Sequence, residues 1–303
     1  MRNGDLWPLA LEVLRSLGNY YYPEMRKAAV EAGLGDCEWY LLLAALMFEP
    51  EPISCELLAR RNPYTAPEIN QNMLRGLAKY GALLPADDAP IEESCSFRLS
   101  EAGRSAIHWI IKVAYSTMSR LAPLPEHQQK RLVSLLAKIV KACEESQEPP
   151  KKWSFSLSRK TDPGESEPML VLIDQCLSDL AGYRDDAHLA AWQPHKVSGY
   201  AWEAFTTLWR GEAGSIFELT QKLERRGYTA DDYRAALQNL IDHGWVMEGE
   251  GGSYNLTAGG RKARQDAEDL TDRYFYGPWS GLSDLEIDEL KGLLLALWEG
   301  LKE

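Results

Sequence analysis

A mainly helical fold with small β-wings, laid down twice along one chain of 303 residues, is what the sequence predicts. Three observations predict it. Residues 17–46 and 180–209 align without a gap at an offset of 163, so that Leu17 falls on Leu180, Tyr20 on Tyr183 and Trp39 on Trp202. Tyr80-Gly81 then meets His243-Gly244, and at an offset of 157 the run from Phe97 to Arg104 meets the run from Tyr254 to Arg261. Within each copy, stretches of helical periodicity are followed by two short β-type runs around a turn. The boundaries read from the repeat are residues 1–143 for the first copy, 144–168 for a linker and 169–303 for the second. Each copy is of ordinary domain size.

The second copy is the clearer one. Ala201 to Trp209 is an apolar helix. Ser215, with Glu218 three residues on, has capping-box spacing for a helix from Phe217 to Arg226 that turns Phe217, Leu219 and Leu223 inward. After the Gly227-Tyr228 turn, Thr229 caps a third helix, with Asp231 and Asp232 in its first turn, where carboxylates favour the dipole. Tyr233, Ala236, Leu237, Leu240 and Ile241 form its apolar stripe. Trp245 to Met247 and Tyr254 to Leu256 read as strands around the glycine-rich loop Glu248–Ser253, and Thr257 caps a long final helix. Three helices, strand, wing, strand, helix is the order of a winged helix-turn-helix.

In this order, Leu240-Ile241-Asp242-His243-Gly244-Trp245-Val246 followed by Tyr254-Asn255-Leu256-Thr257-Ala258-Gly259-Gly260-Arg261 resembles the MarR-type winged-helix family. The first copy has the same phrasing in Leu77 to Leu84 and in Leu99-Ser100-Glu101-Ala102-Gly103-Arg104, so the resemblance covers most of both halves. It implies two tandem winged helix-turn-helix domains forming an intramolecular pseudo-dimer, since in that family the first and last helices pair two subunits. Leu132, Leu135, Leu136 and Ile139 match Leu290, Leu293, Leu294 and Leu297 at an offset of 158, which suits such pairing between halves and also packing within each half. Between the copies, Pro149-Pro150-Lys151-Lys152 and Asp162-Pro163-Gly164 are linker and turn signals. Trp153-Ser154-Phe155-Ser156-Leu157 alternates with period two, so this stretch reads either as an added short strand or as an unordered linker.

The composition, 45% hydrophobic and 26% charged, is that of a soluble globular protein. The longest apolar run, Leu41 to Phe48, is far below the ~20 residues that span a bilayer. The start, Met1 to Asp5, lacks signal-peptide character. A cytoplasmic location without membrane contact follows as the expectation. The five cysteines, Cys37, Cys55, Cys95, Cys143 and Cys176, form no Cys-x-x-Cys pair and read as reduced and mostly buried, with neither a disulfide framework nor a metal site. No cofactor is expected.

In the family it resembles, the third helix enters the major groove and an arginine near the wing tip enters the minor groove. In the second copy, Thr229 to Asn255 carries Asp231, Asp232, Asp242, Glu248 and Glu250 against the single base Arg234, a net of −4. Charge of that sign repels phosphates instead of releasing counterions. The first copy offers Asn70, Gln71 and Asn72, types that read base edges, with Arg75, and with Arg60 and Arg61 just before them. Its wing still holds Asp87, Asp88, Glu92 and Glu93 and no base. Arg225, Arg226, Arg261, Lys262 and Arg264 are further cations that could position a duplex or serve as plain surface charge.

A small-molecule ligand is the second candidate partner. Arg184, His188 and Trp192 recur at i, i+4, i+8 on one helical face, with Asp185 placed to orient the histidine ring. Tyr20, Tyr22, Tyr274 and Trp279 add aromatic walls near the axis relating the halves, a composition that suits a pocket and suits a packing core equally. His188 with Asp185 is the lone acid–base pair that stands out; nucleophile elbow, phosphate-loop and dinucleotide motifs are absent, and no catalytic residue is assigned. The reading is a ligand-responsive transcriptional regulator with weakened or asymmetric DNA binding. The alternatives are a small-molecule- or protein-binding module of the same fold and, behind it, an enzyme using the Arg184/His188 region.

Overall fold

The computed structural model describes residues 6–35, 38–87 and 89–302. The expectations for Met1–Asp5, Cys37 and the wing residue Asp88 lie outside the described residues. The first half runs α1 (Leu6–Glu31), α2 (Tyr40–Phe48), β1 (Ile53–Ser54), α3 (Cys55–Arg61), α4 (Pro67–Lys79), β2 (Leu83–Pro85), β3 (Ser96–Leu99), α5 (Glu101–Met118) and α6 (Glu126–Glu145). After α7 (Trp153–Arg159), the second runs α8 (Met169–Trp192), α9 (Gly199–Trp209), α10 (Ile216–Lys222), α11 (Ala230–Asp242), β4 (Val246–Glu248), β5 (Tyr254–Leu256), α12 (Ala258–Tyr276) and α13 (Asp284–Gly300). Apart from β1 and α7, the two halves present the same elements in the same order. All strand pairs are antiparallel: β3 lies between β1 and β2, and β4 pairs with β5. At the place of β1, the second half has a single backbone bond, Tyr254 N to Gly214 O at 2.8 Å.

Local chemistry explains the boundaries. Thr229 and Asp232 form a reciprocal capping box at α11, and Ser215 accepts from Glu218 N at α10. Ser100 and Thr257 cap α5 and α12 by accepting from Gly103 N and Gly260 N. Those two glycines are required by close approach. A Cβ at Gly103 would lie 1.9 Å from Ala82 O, and one at Gly260 2.1 Å from Trp245 O. Gly103→Ala and Gly260→Ala are therefore each expected to cost about 1–3 kcal/mol by forcing the helix off its strand; denaturant midpoints of the two variants test this.

Two expectations are corrected. The stretch from Trp153 to Leu157 is neither a strand nor unordered; it is the helix α7. Asp186 of α8 caps it from a distance, accepting from Ser154 N and Phe155 N at 2.9 Å each, and Gly182 lets it lie against α8. Phe155 and Leu157 are buried, and Trp153 stacks on Phe48. Phe217, expected inward, is 70% exposed, because the short α10 turns only Leu219 fully into the core. Of the described cysteines, Cys143 and Cys176 are buried, Cys55 is half-buried and Cys95 exposed.

The long helices form a frame in which the halves interleave. α6 packs on α8, and α13 packs on α1 and on α6. Tyr20 donates to Leu301 O at 2.7 Å, and its counterpart Tyr183 donates to Glu148 O. Arg131 pairs with Glu289, and Lys138 with Glu286, from α6 to α13. The apolar interior divides into two clusters. One joins the first half to α7, to the α8 residues from Leu170 to Ala187 and to the segment from Phe275 to Leu301. The other holds α9 to β5 together with Leu189, Trp192 and Ala267. We call α2 to β3 the first lobe and α9 to β5 the second.

Candidate functional site

The two lobes meet through the turn that precedes α4 and the turn that precedes α11. Asn62 to Ile69, the turn of the first lobe and the start of α4, inserts between the end of α8, the start of α9 and the second lobe's own turn. Ala66 N donates to Arg226 O at 2.8 Å. Arg226 pairs with Glu203 at 2.5 Å, reaches Thr65 Oγ1 at 3.4 Å and lies 5.8 Å from the centre of the Tyr64 ring. Trp192 Nε1 donates to Tyr64 Oη at 3.1 Å. Two glycines allow the fit. A Cβ at Gly199 would sit 2.1 Å from Pro63 O, and one at Gly227, whose φ is 79°, would sit 2.4 Å from Ile69 Cγ1.

This seam decides the fate of the residues expected to face DNA. Asn70 is buried, against the expectation of an exposed base reader. Gln71 Nε2 contacts Ser94 O at 3.5 Å and Cys95 Sγ at 3.4 Å, so it is turned toward its own wing. Arg75 has a buried Nε without a hydrogen-bond partner. Arg60 pairs with Glu56 at 2.8 Å and Arg234 with Asp231. Burial raises the Asp185 carboxyl to about 6, and Arg61 of the first lobe works against that rise. Asn72 alone of the Asn-Gln-Asn run is exposed. Arg226 is held in the seam and Arg264 is 1% exposed, so neither is plain surface charge.

The aromatic and charged residues expected to share one ligand pocket are distributed over separate places. Tyr22 lines an open groove of 1140 Å³ with Arg26, Val30, Trp39 and Tyr40. Tyr20 seats the end of α13. Trp279 is buried against Phe275, and Tyr274 lies under Arg273. Trp192 stacks on Trp202 at 5.5 Å inside the second lobe. Grooves of 440 and 470 Å³ lie beside β5 and β3 and are lined by other residues.

Arg184 and His188 do come together with groups that the sequence reading did not assign to their site. On α12, Arg264, Glu268 and Asp272 recur every four residues and face α8. Arg184 pairs with Asp272 at 2.9 Å and lies 5.2 Å from the centre of the Phe275 ring. Arg264 Nη1 is 2.5 Å from Glu268, and its guanidinium lies between Trp202 and Trp209, at 5.4 and 4.9 Å from the ring centres. Glu268 is a carboxylate that acts on His188. This polar band lies between the two apolar clusters. The aligned positions of the first half are Tyr21, Met25, Ile107, Ile111 and Tyr115, so no charged side chain stands at any of them. The four-residue spacing on α12 was the available signal; recognising it required knowing that α12 faces α8.

Burial and the neighbouring Arg264 push His188 down to about 4, against the pull of Glu268. Burial raises Asp174, which accepts from Tyr21 at 3.2 Å, to about 7. The two act with opposite sign on stability. Between about pH 6.5 and 4 the unfolded chain binds a proton at His188 that the folded chain refuses, so that contribution is lost as pH falls. Asp174 holds its proton in the folded chain, so its contribution is present at low pH and lost as pH rises through 7. His188→Gln should reduce the loss of stability as pH falls from about 6.5 to 4, and Asp174→Asn the loss as pH rises from about 4 to 7, in urea midpoints measured from about pH 3 to 8.

Among the described residues there is no cluster of metal-ligating side chains, and no helix long and apolar enough to cross a membrane. Residues 163–302, from just before α8 to the end of α13, match the model of a helix-turn-helix family, which supports a helix-turn-helix domain there and makes DNA binding plausible. No curated protein and no solved structure matches the chain.

Proposed function

We propose that this chain is a MarR-like transcriptional regulator built as an intramolecular pseudo-dimer of tandem winged helices, in which DNA binding is weak and asymmetric because one recognition helix is closed off. The repeats are residues 1–143 and 169–303, with α7 in the connection between them. The helix-turn-helix match, the twice-repeated element order and the interleaved α6 and α13 support this reading. The observation that carries it is the seam. The start of α4 must enter a major groove to read bases, and it is inserted into the second lobe instead. Release would come from a small molecule or partner that separates Tyr64 from Trp192.

The test is fluorescence anisotropy with genomic duplex fragments across a salt series. Weak binding is expected at low salt, vanishing by about 200 mM, with a log–log slope of magnitude below about 3, since few cations are free to displace counterions. Tight binding that survives 200 mM salt would reject the closed reading. The acidic wings favour a second one: a module of the same fold that holds a protein or small molecule and binds no DNA. That reading gains if binding is absent at low salt even after the seam is opened by substitution.

A further inference from the structure

In the first lobe, β1 and β3 pair antiparallel with Ile53 opposite Phe97 and Ser54 opposite Ser96. Extending that register by one residue sets Cys55 opposite Cys95. Cys55 opens α3 and Cys95 lies just before β3, so the two flank the last bridged pair, with the extended Ser54 carrying the Cα of Cys55 on along the strand direction; opposed Cα atoms of an antiparallel pair lie about 4.5–5.5 Å apart. That separation falls inside the range of about 4.4–6.8 Å that a disulfide spans. Both thiols are free, and Cys95 is exposed. The same turn of α4 lies against both: Gln71 Nε2 is 3.4 Å from Cys95 Sγ, and Arg75, one turn on, acts on Cys55. Burial raises the Cys55 thiol, and Cys95 raises it further, as expected of neighbours. Cys143 and Cys176 are buried, out of reach of an oxidant.

We propose that Cys55 and Cys95 are a thiol-oxidation site, closing reversibly to a disulfide that ties the wing to the start of α3 beneath α4. The thiolate of Cys95 attacks one sulfur of a low-molecular-weight disulfide, forming a mixed disulfide and releasing one thiolate. Cys55 then attacks the Cys95 sulfur, and the second small thiol leaves. Two protein thiols have lost two electrons and two protons, and the small disulfide has become two thiols. The new bond removes the Sγ that Gln71 contacts from its free position, so the base of α4 must adjust. The pairing does not depend on the chain binding DNA.

The test uses the full chain, incubated with excess oxidised glutathione, acid-quenched, denatured and counted with a maleimide. The reduced chain presents five thiols; the oxidised chain should present three, run as a monomer without reductant and yield one cross-linked peptide pair containing Cys55 and Cys95. Cys55→Ser should stop at glutathione on Cys95, and Cys95→Ser should leave Cys55 as a free thiol. A cross-link between other cysteines, wild-type chain that stops at glutathionylated Cys95, or two thiols still lost in Cys95→Ser would each overturn the proposal.

Discussion

Gly199→Val opens the seam between the lobes. A Cβ at this position would lie 2.1 Å from the carbonyl oxygen of Pro63 and 2.6 Å from its carbonyl carbon. Both are backbone atoms of the other lobe, with no rotamer to change. Overpacking of this kind costs about 1–3 kcal/mol where it must be accommodated, and parting the turns is the response that leaves both lobes folded. Small-angle scattering should then give a radius of gyration above the ~19 Å expected of a compact chain of this length. Trp192 should lose its bond to Tyr64, with a change in emission. DNA affinity at low salt should rise at least tenfold, about 1.4 kcal/mol, because the start of α4 becomes accessible. Tyr64→Ala is the companion variant, removing the inserted ring without a clash. An unchanged radius in both variants would show that the seam does not set the lobe arrangement. An opened chain with unchanged affinity would move the function to the second reading.

Arg264→Ala is expected to destabilise the second lobe by about 3–5 kcal/mol, because it leaves Glu268 in a half-buried band without its cation. Its melting transition should fall on the order of 10 °C. The triple replacement His188→Met, Arg264→Ile, Glu268→Ile installs the residues that the first half carries at Met25, Ile107 and Ile111. It should come within about 1 kcal/mol of the parent, or exceed it, since exchanging a whole buried ionic group for apolar side chains removes the desolvation cost together with the pairing. A triple variant as unstable as the single one would contradict this account of the band.

The element order was legible because caps and apolar periods are local. Thr229, Ser215, Ser100 and Thr257 each cap the helix that their spacing implies. The Leu-Ser/Thr-x-x-Gly phrase also has a visible cause, a helix start pressed on the carbonyl of Ala82 or Trp245. What depends on distant partners was not legible. Trp153, Phe155 and Leu157 alternate as in a strand, yet two backbone N–H groups held by Asp186, more than thirty residues on, fix them as a helix. Arg264 looks like surface charge until Trp202 and Trp209 are seen on either side of it. The seam was the least readable feature. Asn70, Gln71 and Arg75 have base-reading chemistry, and only the placement of one lobe against the other decides what they face.

The polar band has a consequence for the lifetime of the molecule. Because α8 and α12 each pass from one apolar cluster into the other, the second lobe can melt from the far ends of these helices while the frame and first lobe stay folded. Such a partly open form exposes the backbone from Leu189 to Ala267 to a protease long before the whole chain comes apart. Cleavage of the second lobe by a protease should then follow its local stability, and anything clamped across Tyr64 and Trp192 should slow that cleavage as well as holding the lobes shut.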